Sequence, residues 1–228
     1  MNILSYKIGY WSAISLTITF IVWVISFVSI ALTSPLFYWT NLGDYIVYVQ
    51  SNNRFFQNLA FFFMLLCGPI YVTLISSFHA YASDEKKILV RLSLLFGLAF
   101  AITSSINYFI QLSAVRLSIN KGNYAGLEHF IQANPDAITT SIAMLGWTLF
   151  LGLSSLFIFP VFNKDRLLRL AFVFNSISCF LAGTGYVLQI DVLTFLFTNI
   201  GTGGALLIIS IASIRLYSKL MKRANPLP

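Results

Sequence analysis

Long apolar stretches separated by short polar or charged runs make up most of the chain. Six such stretches reach or exceed the roughly 18–20 residues that carry a helix across about 30 Å of hydrocarbon. They fall at about 11–32, 55–80, 88–115, 138–162, 167–190 and 193–216. Runs such as Phe61-Phe62-Phe63-Met64-Leu65-Leu66 and Ala205-Leu206-Leu207-Ile208-Ile209 are apolar on every side, which rejects the alternating strands of a membrane barrel. The pattern predicts an all-α fold, a polytopic transmembrane bundle of six helices forming a single domain over residues 1–228. Ser83-Asp84-Glu85-Lys86-Lys87 and Asn163-Lys164-Asp165-Arg166 read as short turns, and Gly68-Pro69 predicts a kink in the second span.

Composition agrees: 58% of residues are hydrophobic and only 9% charged, against about a quarter in soluble domains. The net charge of +7 would suggest a nucleic-acid partner in a soluble protein, but here the basic residues flank apolar helices, so the partner is the lipid bilayer and nucleic acid is excluded. Lys7, Lys86, Lys87, Arg91, Lys164, Arg166, Arg169, Arg215, Lys219, Lys222 and Arg223 fall on one side of the six spans, and Arg54, Arg116 and Lys121 on the other. The first side is cytoplasmic by the positive-inside rule, and both termini lie there. Ala31-Leu32-Thr33 resembles a leader cleavage site, but the preceding apolar run is longer than a signal-peptide core, so a retained first helix is expected. Cys67 and Cys179 fall near the bilayer midplane as small packing residues; without Cys-x-x-Cys or a Cys/His cluster, no metal and no cofactor are expected.

Two outer connections are too long for bare turns. In 33–54, Leu36-Phe37-Tyr38-Trp39 and Tyr45-Ile46-Val47-Tyr48-Val49 gather aromatics at headgroup depth, predicting a lid along the interface. In 116–137, Leu127, Phe130 and Ile131 recur at i, i+3, i+4 before Asn134-Pro135, predicting a short interfacial helix as a second lid.

Polar side chains within the spans point to function, because hydrocarbon makes them costly unless they face the bundle or a wet cavity. Gln57, Asn58, Asn107, Gln111, Gln189 and Asn199 occupy the outer halves, whereas Asn175 alone represents these types in the inner halves. Ser104, Asn107, Tyr108 and Gln111 at i, i+3, i+4, i+7 form one polar stripe on the third span. The ligand-binding candidates are Asn58, Ser104, Asn107, Tyr108, Gln111, Arg116, Gln189, Asp191 and Asn199, lining an outward-facing pocket, with Arg116 and Asp191 able to pair across its mouth. The plainer alternatives are interhelical hydrogen bonding by the amides, Arg116 snorkelling to phosphates and Asp191 capping the last helix. Asn199 with Gly201-Thr202-Gly203-Gly204 marks either close packing or a loosened sixth span. Glu128, His129 and Asp136 are the one cluster suited to acid–base catalysis, with a solvated loop surface as the alternative. Every lysine lies outside the spans and the two histidines lie about a bilayer apart, which excludes a retinal Schiff base and bis-histidine haem. No G-x-S-x-G, H-E-x-x-H or P-loop pattern occurs.

Asn107-Tyr108-Phe109-Ile110-Gln111-Leu112 through Arg116-Leu117, then Gly126-Leu127-Glu128 and Asn134-Pro135, resembles a group of small bacterial multi-helix integral membrane proteins of unknown function, mainly over residues 104–160. The resemblance implies a multi-pass protein of the bacterial inner (cytoplasmic) membrane and transfers no role to any residue. Three functions stay open: binding or sensing of a small amphipathic or lipid-like ligand, transport alone or as a transporter membrane subunit, and an interfacial enzyme using the 116–137 lid. A protein partner or a second copy is compatible with each. Topology is testable directly. Alkaline phosphatase fused after Asn123 or within residues 35–53 should be active, and fusions at Asp84 or after Arg223 inactive; activity at Arg223 would require an odd number of spans.

Overall fold

The computed structural model describes residues 3–35 and 37–224; Leu36, part of the first lid's aromatic run, lies outside the described residues. Six helices are long and apolar enough to cross a membrane: α1 (Ile3–Thr33), α3 (Phe55–Ala80), α4 (Asp84–Lys121), α5 (Ile138–Val161), α6 (Arg166–Val187) and α7 (Asp191–Ala224). A seventh, α2 (Leu42–Ser51), lies in the first lid. No strand occurs among the described residues. The protein is an all-α, multi-pass membrane bundle.

The residues of α4 explain why it faces as it does. Leu95, Leu98, Ile102, Ile106 and Phe109 lie three or four apart and are exposed along one stripe, as a lipid-facing surface requires. Ser93, Gly97, Ser104, Asn107 and Gln111 occupy the opposite stripe, buried in the bundle, where their polar groups find protein partners instead of hydrocarbon. Each spanning helix packs mainly on its neighbours in the chain, and α7 returns to pack on α1, closing a ring of six. An even number of spans places both described ends of the chain at one end of the bundle. This basic end carries the charged turns, including the Lys87–Asp84 ion pair at 2.6 Å, which holds the exposed Asp84 carboxyl below its ordinary pKa; the opposite, lid end carries both lids.

Small residues and hydroxyls hold the basic half of the ring together. A Cβ on Gly68 would fall 2.6 Å from the Ala101 Cα, so α3 and α4 touch backbone to backbone there. Gly97 seats the Tyr71 ring, whose hydroxyl bonds Ser154 Oγ at 2.9 Å; Ser154 also meets Ser93 Oγ at 3.0 Å and donates to the Ser93 carbonyl at 2.8 Å. Asn175 donates to Ser155 Oγ at 2.7 Å and Ser176 to the Gly152 carbonyl at 3.0 Å, which ties α6 to α5. Nearer the basic end, Phe78 stacks on Tyr217 and meets Phe162 edge to face. Both cysteines are free and buried, with Cys179 against Gly152.

Several boundaries move from their expected places, each for a local reason. The third span continues past residue 115 to Lys121, where Gly122 at φ 70° ends it and Asn123 N–H reaches back to the Ser118 carbonyl. The fifth span stops at Val187 rather than 190, because Gln189 adopts φ 57° and Ile190 N–H closes onto the Gly185 carbonyl. Residues 124–133 form a 3₁₀ turn over Leu127–His129 rather than the expected helix, started by Gly126 at φ 70°. Leu127 and Ile131 are buried while Phe130 points out, so the i, i+3, i+4 stripe does not hold together as one face. α3 runs helically through Pro69, and Gly68 beside it serves the close contact with α4.

Gly68→Ala should therefore force α3 from α4 and destabilise the bundle by about 1–3 kcal/mol, as overpacking does. Gly204→Ala, where an added Cβ meets nothing within 4 Å, should be neutral or raise stability by up to about 1 kcal/mol. Thermal unfolding of the purified variants measures both.

Candidate functional site

At the lid end the two lids build a small core of their own. Tyr45 and Val49 of α2 pack with Val115 and Ile119 of α4 and with Leu127 and Ile131 of the second lid. Asn41 caps α2, its side chain accepting from the Asp44 N–H at 3.0 Å. Burial raises the Tyr45 phenol above its ordinary pKa, and nearby Arg54 pulls it partly back. The second lid is held through its backbone. Gln111 donates to the Phe130 carbonyl at 2.6 Å and accepts from the Gln132 N–H at 3.1 Å, and Asn107 donates to the Gln132 side chain at 2.8 Å. From α5, Thr139 donates to the same Phe130 carbonyl and Thr140 to the Gln132 carbonyl. From α6, the Tyr186 hydroxyl donates to the Pro135 carbonyl at 2.8 Å.

Below this roof the ring is hollow. A cavity of 340 Å³ lies among the lid-end halves of α1, α3, α4, α5 and α7. Its walls are Phe20, Trp23 and Phe27 from α1 with Phe61 and Met64 from α3, and Trp147, packed edge to face on Phe100 at 4.8 Å, lies at its margin with α5. Polar groups enter from Gln57, Tyr108, Gln132, Thr140, Thr198 and Asn199. One lining group, the Thr198 hydroxyl, is buried without a hydrogen-bond partner, while the Trp147 indole lies against the Tyr108 hydroxyl. Gln132, Thr140, Met144, Thr198 and Asn199 also line a wider vestibule of 1050 Å³ between the second lid and the ends of α5, α6 and α7. The two spaces thus meet along shared walls.

Three π-helical segments coincide with these features: Gln111–Val115 in α4, Leu145–Phe150 in α5 and Leu196–Thr202 in α7. A π turn widens the helix and rotates the side chains that follow, and such segments recur at functional sites. The first starts at the lid clamp, the second contains Trp147, and the third contains Thr198 and Asn199. In α7 the loosened stretch precedes Gly203 while Gly201 packs closely on Ser178, so both readings of the glycine run describe part of it.

The sequence-derived candidates separate into four places. Tyr108 and Asn199 line the cavity; Gln189, Asp191 and again Asn199 line the vestibule; Asn58 and Arg116 face a separate pocket beside α2. Ser104, Asn107 and Gln111 are buried and line none of these three, Ser104 bonding to the Ala101 carbonyl and the amides holding the lid. Arg116 and Asp191 do not pair, because they border different spaces. Asp191 is the first residue of α7 and makes no side-chain cap there, although its charge suits a helix start. Glu128 and His129 lie 3.7 Å apart on the exposed lid turn, and Asp136 borders the vestibule, with its backbone N–H bonded to Asn134. No group of three or more potential metal ligands occurs among the described residues.

Sequence reasoning missed Trp147, Gln132, Thr198 and Arg54. A tryptophan near mid-span was a usable signal, since a buried indole N–H needs a partner. Gln132 carried no signal, because its place depends on how the lid folds back.

Gln111→Leu should remove the lid clamp, leave the Gln132 N–H unpaired and cost about 1–3 kcal/mol. Hydrogen exchange should accelerate across residues 124–134 while the basic half stays protected, and Ser104→Ala, which removes only a bond within its own helix, should leave that pattern unchanged.

Comparison of the chain with protein-family models, with curated proteins and with solved structures finds no match.

Proposed function

We propose that the protein binds or senses a small amphipathic, lipid-like ligand in the lid-end cavity, and that the lid end faces outward from a bacterial inner membrane. The observation that carries this reading is a cavity with aromatic walls and an unsatisfied polar group, the Thr198 hydroxyl. An empty apolar cavity needs no polar partners, whereas a buried unpaired donor costs about 1–3 kcal/mol until something accepts its hydrogen. A ligand with an apolar body and one oxygen acceptor meets both demands. The volume lies at the low end of ligand pockets, about 300–1,000 Å³, which suits a single short chain or a small ring system. The asymmetric placement of the Asn and Gln residues and the shared walls with the vestibule support entry from the lid end.

Packing of the basic half favours binding over transport. The Tyr71–Ser154–Ser93 bonds and the Phe78, Phe162, Phe172 and Tyr217 cluster fill the ring beneath the cavity. The enzyme reading has little support from geometry, since Glu128 and His129 sit on an exposed turn.

The test is thermal unfolding in nanodiscs with 1-decanol and with decane as probes. Decanol should raise the melting temperature more than decane. Gly203 offers a clean block: an added Cβ meets only the Trp23 ring, at 3.6 Å, so Gly203→Leu fills the cavity without backbone conflict. The variant should be at least as stable as the native protein and should lose the decanol shift; an undiminished shift would contradict the proposal. Thr198→Val should weaken the decanol response about three- to tenfold, the worth of one hydrogen bond, and leave decane unaffected.

A further inference from the structure

We propose that the pocket between α2 and the lid-end turns of α3 and α4 is a binding site for a phosphate-type oxyanion, held by Arg54 and Arg116. It has a volume of 400 Å³ and is lined by Gln50, Arg54, Asn58, Arg116 and Asn120 over a floor of Val49 and Ile119. It is distinct from the central cavity, because Gln57 of the same α3 turn faces the cavity while Asn58 faces this pocket.

Charge makes the case. Only three of the fourteen basic residues belong to the lid end, and two of them border this one pocket. No carboxylate lines it. The ion pairs among the described residues involve Lys87 with Asp84 and His129 with Glu128, so neither arginine is neutralised by the protein. Two guanidinium groups bordering one partly desolvated space repel each other, and an anion between them removes that cost.

The donors are also set for it. Arg54 is positioned by bonds from Nε to Gln57 Oε1 at 3.2 Å and from its terminal nitrogen to the Tyr45 hydroxyl at 3.4 Å, which leaves the rest of its fork free. Arg116 is exposed and makes no hydrogen bond or ion pair among the described residues. The Asn58 side-chain oxygen is buried without a partner, and the amide turned about its axis offers an N–H at that point instead. Arg54 precedes the first turn of α3, a helix of 26 residues whose positive dipole end adds to the field. Arginine forks match a tetrahedral oxyanion with paired hydrogen bonds better than they match any neutral group. Phosphate reaches this depth from two sources, a phospholipid headgroup of the surrounding leaflet or a free phosphate compound.

Titration of the full-length protein in nanodiscs of zwitterionic lipid, by thermophoresis, tests the site with two probes: dihexanoyl phosphatidylglycerol and sodium phosphate. Binding of either probe, weakened about tenfold or more in Arg116→Gln, supports the site, and the probe that binds names the source. Arg116 makes no bond to lose, so the variant should fold as the native protein does. Arg54→Gln should weaken binding as well. Lys121→Gln, which removes a nearby charge that does not line the pocket, should have little effect. Absence of binding by both probes, equal binding in Arg116→Gln, or an equal loss in Lys121→Gln that would mark general surface attraction, would each overturn the proposal. Gly203→Leu should bind both probes normally, which separates this site from the central cavity.

Discussion

Lipid tails are as apolar as leucine, so hydrophobic burial alone gives these helices little reason to associate once they are in the bilayer. The bundle depends on close backbone approach and on hydroxyl bonds made where the approach permits. Gly68 against Ala101 brings α3 and α4 together, and Gly97 admits the Tyr71 ring whose hydroxyl reaches Ser154. The contrast between the two halves of the protein follows from where this pattern continues and where it stops. Toward the basic end, serines and aromatic rings fill the ring of helices. Toward the lid end, bulky aromatic residues line an open space between the helices, and three of the helices widen into π turns.

That widening links local structure to the site. A π segment lets a helix continue while shifting the side chains beyond it, and here the three segments belong to three helices around one space. Trp147 and Thr198 each lie within one of them, Trp147 against the Tyr108 hydroxyl and Thr198 with its hydroxyl unpartnered. The native fold therefore tolerates an unsatisfied group in the wall of this space. Proteins commonly accept such local costs at functional sites and offset them elsewhere, in this protein through the hydrogen-bonded seam below. The lid completes the arrangement, because its backbone is bonded from α4, α5 and α6 and it roofs the cavity without filling it.

The number of spans, their approximate positions and the clustering of basic residues at one end were legible in the sequence, because each rests on a property summed over many residues. The depth asymmetry of the amides was legible too, and the hollow does lie in that half. The division of labour among the amides was not. Asn107 and Gln111 share one helical stripe with Tyr108, yet they bond the lid while Tyr108 faces the cavity. That choice depends on how residues 130–132 return over α4, a tertiary event that a periodicity cannot carry. The π segments leave no compositional mark. Gln189 at φ 57° occupies a turn position where glycine is the usual signal, which is why the fifth span read three residues too long.

The central claim is that one half of this ring is packed and the other is open to the lid end. Labelling of single cysteines in membranes, with a water-soluble maleimide applied from the lid side, tests it most directly. With Cys67 and Cys179 replaced by alanine, Asn199→Cys, at the shared wall of cavity and vestibule, should be labelled readily. Ser154→Cys, within the buried seam, should stay protected until the protein unfolds. Equal protection at both positions would contradict the account.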